Sequence, residues 1–311
     1  MPDILGGERF INVVPIKKGH LYIKKYCVTH SNGTKYLLRI EPIEYYESNK
    51  SRFDKQKQVA ELGIPMCLPI EFGTCADGVY SLHSWVDGED LVTVLPSLSQ
   101  TDQYALGIQS GEILKKIHSS FTSDSQKKWY LHYNRYIDNV IQKYRKCGIR
   151  FDGEAYFIVY IEDNRHLLKN RPQCFLHNDY HSHNIMIKQN RLTIIDFWNS
   201  RFGDPWAEFQ SMVWKSGVSP HFATGELHGY FGGEPPYEFF KLLALYMAVF
   251  NLNTITWLKN RCGIPWFDTL LRQLQHVLPE FDNMWNPIPT WYLKDLRVST
   301  FERAYRFYCN Q

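Results

Sequence analysis

Along the first hundred residues the chain alternates short apolar and polar runs rather than repeating with a helical period. Lys24 to Thr29 and Lys35 to Ile40 flank Ser31-Asn32-Gly33-Thr34, and an Asn-Gly pair between two such runs predicts a β-hairpin. Ser51 to Leu62 predicts a helix that closes at Gly63, with Phe53, Ala60 and Leu62 turned to a core. Val79 to Val86 reads as a strand running into a turn at Gly88, and the boundary between two lobes is expected there. Thr101-Asp102 opens a helix in which Leu106, Ile113, Leu114 and Ile117 recur at helical spacing. Ile185-Met186-Ile187 and Leu192 to Ile195 are joined by the polar Lys188-Gln189-Asn190-Arg191 and predict a second hairpin. From Ser216 onward the pattern is mostly helical, with Pro235-Pro236 opening an apolar helix from Phe239 to Phe250. The expected architecture is α+β, with a small, strand-rich lobe over residues 1–86 and a larger, mainly helical lobe over 87–311.

Composition narrows the function classes. The 311 residues are 44% hydrophobic and 22% charged, which describes a globular chain with a sizeable core. A formal net charge of +3 gives no reason to expect a nucleic acid or a membrane surface as partner. The seven cysteines are scattered without a C-x-x-C pair and read as reduced thiols, and Met1 to Arg9 lacks the basic and apolar regions of a secretory leader. Cytoplasmic residence is therefore expected. The most apolar stretch, Leu242 to Phe250, is too short for a bilayer of about 30 Å.

The chemistry concentrates between Phe175 and Glu208. His177-Asn178-Asp179-Tyr180-His181-Ser182-His183-Asn184 fits the pattern H-x-D-x-x-x-x-N, in which an Asp meets an acceptor hydroxyl and an Asn holds magnesium. Asp196 follows the second hairpin. Because the residue before the first strand and the residue after the second lie side by side in a hairpin, Asn184 and Asp196 are expected to share one metal ion. Singly each of these residues reads as a turn or strand-edge residue, and their joint order carries the inference. His181 and His183 also form an H-x-H pair, without further His or Cys at zinc-ligand spacing nearby.

These blocks, with Ile195-Asp196-Phe197, Gly203-Asp204-Pro205 and Glu208, resemble the aminoglycoside phosphotransferase family, which shares its fold with choline kinases and eukaryotic-type protein kinases. The resemblance covers most of the chain and is sharpest over 176–209; Asn178 stands where the family usually has Gly. It implies a protein-kinase-like fold, ATP or GTP as phosphate donor, Mg²⁺, and a small molecule bearing a hydroxyl as acceptor, in a monomer or homodimer. By position it assigns Asp179 as catalytic, Asn184 and Asp196 as metal ligands, and Arg39 as the strand cation that steadies the nucleotide phosphates, where Lys is commoner. Asp54 is expected to pair with that cation from the following helix, with Glu61 in reserve. The backbone of Ser84 and Val86 is expected to meet the base, and Gly19 occupies the place of a phosphate-covering loop.

Three readings of function stay open. The resemblance favours an aminoglycoside, yet residues 216–311 hold eight acids against eight Lys and Arg, so no acidic excess announces a pocket for a polycation. A metabolite hydroxyl, as in choline, ethanolamine, homoserine or a sugar, is the second reading. A nucleotide-binding pseudokinase acting through a partner is the third, motivated by Arg39, Asn178 and the Gly19 loop.

Overall fold

The computed structural model describes residues 9–17, 23–123, 126–259 and 267–296. The Gly19 loop, Cys262, Trp266, Glu302 and Cys309 lie outside the described residues. Contacts divide the chain into two compact units, Met1–Glu89 with Met186–Trp198, and Asp90–Ile185 with Asn199–Gln311.

The first unit is built on a five-stranded antiparallel sheet. Strands β1 (Phe10–Pro15), β2 (Lys24–His30), β3 (Lys35–Glu41), β4 (Pro69–Cys75) and β5 (Gly78–Ser84) lie in the order β1-β2-β3-β5-β4. The Asn-Gly turn sets the β2–β3 register: Gly33 takes φ +84°, Thr29 faces Lys35, and Lys25 faces Arg39. Leu38 and Ile40 of β3 join Val28, Tyr80 and Leu82 in a core on one face. Arg39 and Glu41 alternate to the other face and are also buried.

Helix α1 (Tyr46–Ala60) begins five residues before the predicted start, after a 3₁₀ turn at Ile43–Tyr45 that follows Pro42. Its inward stripe is Asn49, Phe53, Gln56 and Val59, whereas Leu62, expected in the core, is half exposed beyond the helix end.

Strands β6 (Glu89–Asp90), β7 (Thr122–Ser123) and β8 (Gln173–Leu176) precede the second hairpin, β9 (Ile185–Lys188) and β10 (Arg191–Ile194). Its loop is two residues, Gln189 and Asn190, both with positive φ, which suits the twist of a tight hairpin. A linear division after residue 86 misses where this segment packs. Ile194 N–H donates to Pro65 O (2.8 Å) and Ile194 O accepts from Cys67 N–H (3.0 Å), so residues 186–198 join the first unit.

The second unit is mainly helical: α2 (Leu91–Val94), α3 (Gln100–Ser119), α4 (Gln126–Cys147), α5 (Glu154–Asn164), α6 (Met212–Ser216), α7 (Pro220–Phe231), α8 (Tyr237–Lys259), α9 (Phe267–Gln275) and α10 (Val277–Glu280), with β11 (Arg201–Gly203) pairing β8. Helices α3 and α7 touch backbone to backbone. A Cβ on Gly107 would lie 2.3 Å from Phe222 O, one on Gly111 2.1 Å from Glu226 O, and one on Gly229 2.2 Å from Ile108 O. The apolar run near Leu242 belongs to the 23-residue α8, which is long and apolar enough to cross a bilayer by length and composition; 78% of its most apolar window is buried inside the protein. It is a core helix.

Candidate active site

In the second unit the four residues of β8 are all buried and deliver a fully buried His177. Asn178 follows at φ +63°, in the left-handed region where Gly is easiest and Asn is among the best tolerated alternatives. Asn at this position therefore accommodates the left-handed backbone. Asn178 N–H donates to Glu208 Oε2 (3.0 Å), and Asp179 N–H donates to His177 Nδ1 (3.2 Å).

The Asp179 carboxylate is about a third exposed and meets two partners: Asn199 Nδ2 donates to Oδ2 (3.2 Å), and His181 Nε2 lies 3.1 Å from Oδ1. The next residue is anchored. Tyr180 OH donates to Ser110 O (2.8 Å), Ser110 Oγ donates to Glu226 Oε2 (2.7 Å), and Lys215 Nζ pairs with Glu226 while sitting 4.5 Å above the Tyr180 ring. These partners come from α3, α6 and α7, and the close α3–α7 packing holds them in place.

The G-D-P block is itself tied down, and Glu208 just after it holds the loop. Asp204 is fully buried and accepts from Arg171 Nε (2.7 Å) and Tyr246 OH (2.6 Å), and it caps its own turn through Trp206 N–H (2.9 Å). Burial pushes the Glu208 carboxyl up, but His118, the nearby His177 and Asn178 N–H outweigh it and hold the group below its ordinary value. His118 packs edge-on against Tyr230 and lies 3.5 Å from the Glu208 carboxylate.

Asn184 ends the loop. Its Nδ2 donates to Asp179 O (3.0 Å), which leaves Oδ1 as the atom that can meet a cation. In the first unit Asp196 follows β10 at φ +64°, and its two carboxylate oxygens face two cations: Arg39 Nη2 at 2.9 Å and Lys25 Nζ at 3.3 Å. An amide oxygen and a carboxylate are hard donors that fit Mg²⁺. Among the described residues no group of three or more His, Cys, Asp or Glu could hold a metal.

Asp54 does not join this cluster. It pairs with Lys50 one helical turn away (2.6 Å) on a half-exposed face, and Glu61 is exposed past the helix end, so the inward stripe of α1 carries no acid. The inward position belongs to Gln56, whose Oε1 accepts from His83 Nε2 (3.0 Å) and whose Nε2 reaches Phe197 O (3.5 Å). Burial, with the Arg39 charge adding to it, lowers the His83 imidazole to about 3, so this bridge is neutral.

Ser84 ends β5 and is held by a reciprocal pair with Leu68: its N–H donates to Leu68 O (2.8 Å) and its Oγ accepts from Leu68 N–H (2.8 Å). Val86 lies past the strand, and its N–H makes no hydrogen bond among the described residues. Lys25, Gln56 and Asn199 were missed from the sequence. The register of the Asn-Gly hairpin, which sets residue 25 opposite 39, was the available signal for Lys25.

The model of the phosphotransferase enzyme family matches residues 15–240. A search of curated proteins returned no match. Among solved structures the chain is similar to a GDP complex of an aminoglycoside 2′-phosphotransferase-IIIa mutant (TM-score 0.66, 14% identity, covering 89% of this chain and 94% of that one). It is also similar to a choline/ethanolamine kinase family protein from Mesorhizobium loti (0.61, 17%, 86% and 90%). An amicoumacin kinase in complex with AMP-PNP and Ca²⁺ aligns at 0.59 with 13% identity over 91% of each chain. At these identities the structures establish a kinase-like fold, and the family model covers well over half of the sequence; the chain belongs to the phosphotransferase enzyme family.

Proposed function

We propose that the protein transfers the γ-phosphate of ATP or GTP to a hydroxyl of a small molecule, with an aminoglycoside-type antibiotic as the first acceptor to test. The observation that carries this reading is the Asp179 carboxylate, accessible yet steered by Asn199 and His181 on a loop braced through Tyr180 and Glu208.

In the proposed reaction the acceptor oxygen attacks the γ-phosphorus, the bond from that phosphorus to the β,γ-bridging oxygen breaks, and the nucleoside diphosphate leaves. Asp179 orients the hydroxyl and takes its proton. Arg39 steadies the nucleotide phosphates, while the backbone at Ser84 and Val86 meets the base. Asn184, through Oδ1, and Asp196, through its carboxylate, would hold magnesium. When bound, that ion neutralises triphosphate charge as the phosphoryl group moves. The protein is proposed to work in the cytoplasm, as a monomer or homodimer, without nucleic acid or membrane.

A metabolite alcohol as acceptor is favoured by one observation. Of the acids after residue 216, Glu226 is consumed by Lys215, and burial raises the Glu280 carboxyl to about 7. That leaves six of the eight, matched against eight Lys and Arg in the same stretch, to neutralise a polycation. The test is release of ADP or GDP across a panel of aminoglycosides, choline, ethanolamine, homoserine and sugars. Turnover with one class assigns the acceptor, and nucleotide binding without turnover on any compound supports the pseudokinase reading.

A further inference from the structure

Lys25 and Arg39 stand directly opposite each other on β2 and β3, and like charges so placed repel unless an anion lies between them. Here the anion is Asp196, which offers one oxygen to each cation. Both cations are largely withdrawn from water, with side-chain exposures of 12% for Lys25 and 6% for Arg39. Helix α1 supplies no second anion, because its inward polar residues are Asn49 and Gln56. Glu41 on β3 also feels both charges; burial raises its carboxyl, and Asn49 is its hydrogen-bond partner. Lys25 also sits at the base of the β1–β2 hairpin, where Ile16 N–H donates to Lys25 O (2.8 Å).

From this geometry we propose that Lys25 is a second phosphate-binding residue, which with Arg39 forms a two-cation clamp on the nucleotide. The proposal rests on the nucleotide-binding reading above. With nucleotide bound, phosphate oxygens would replace the Asp196 carboxylate as the counter-charge of the two cations. Buried cations left without an anion are strongly unfavourable, so the exchange links the cation pair to phosphates rather than to the base. Arg39 meets oxygens through a planar fork, and Lys25 adds a compact point charge from the neighbouring strand.

The test is calorimetric binding of MgATP and of adenosine to the full-length protein, with MgGTP and guanosine in parallel. Lys25→Met is expected to weaken the triphosphate by about tenfold or more, the size of one charge-assisted contact, and to leave the nucleoside within about twofold. Lys25→Arg should recover most of the loss. Binding of the triphosphate by Lys25→Met within about twofold of wild type overturns the proposal, as does an equal loss of triphosphate and nucleoside, which marks a structural role. Wild-type protein that binds neither triphosphate overturns the nucleotide reading itself. That failure is visible before any substitution is made.

Discussion

Asn178 N–H donates to the buried Glu208 carboxylate at 3.0 Å while its own backbone sits at φ +63°. The residue before Asp179 is thus locked from both sides, by a conformation few side chains accept and by a carboxylate that needs its donor. Asn178→Gly should keep stability within about 0.5 kcal/mol, and Asn178→Ala should lose about 1 kcal/mol, because alanine gains nothing to offset the left-handed backbone. Urea denaturation of the two variants checks the difference.

Asn199 is the second handle on the same carboxylate, 3.2 Å from Asp179 Oδ2. Asn199→Ala should lower kcat by about tenfold or more through lost orientation of Asp179, with the KM for nucleotide little changed. Steady-state kinetics on the identified acceptor separates the two parameters. A matching rise in nucleotide KM would place Asn199 in binding instead.

The glycine contacts between α3 and α7 leave no room for a methyl group. A Cβ on Gly111 would lie 2.1 Å from Glu226 O, so Gly111→Ala should cost about 2 kcal/mol or more despite alanine's better helix propensity. Chemical unfolding measures the loss. The same substitution should disturb Tyr180, whose hydroxyl donates to Ser110 O.

His83 makes stability depend on pH. Its folded-state pKa of about 3 lies below its ordinary value of 6.5, so between these limits the unfolded chain binds the extra proton. Its contribution is present above about pH 6.5 and is lost as pH falls toward about 3, at up to roughly 1.4 kcal/mol per pH unit. His83→Gln should flatten this part of the profile in urea titrations taken across that range.

Much of the candidate site was proposed from sequence because its motifs are short-range. His177 to Asn184, Ile195-Asp196-Phe197 and Gly203-Asp204-Pro205 each lie in one continuous run. The Asn-Gly turn likewise disclosed a hairpin from four residues. What sequence missed depends on phase or on distance. The helix after β3 starts at Tyr46, behind a 3₁₀ turn; Phe53 faces inward as expected, and Gln56, three residues on, shares its face whereas Asp54 does not. The attachment of Ile194 to Pro65 and Cys67 spans well over a hundred residues and leaves no local pattern. Lys25 was readable from the hairpin register, but its meaning emerged only with the Asp196 contact.

The most direct test of the central claim is transfer of labelled γ-phosphate to the identified acceptor by wild-type protein and by Asp179→Asn. The substitution keeps size and one acceptor oxygen and removes the group proposed to take the proton. The expected result is a fall in transfer rate of about a thousandfold with nucleotide affinity within about threefold of wild type. Transfer by Asp179→Asn at a rate within about threefold of wild type would contradict the assignment of Asp179 and the mechanism built on it.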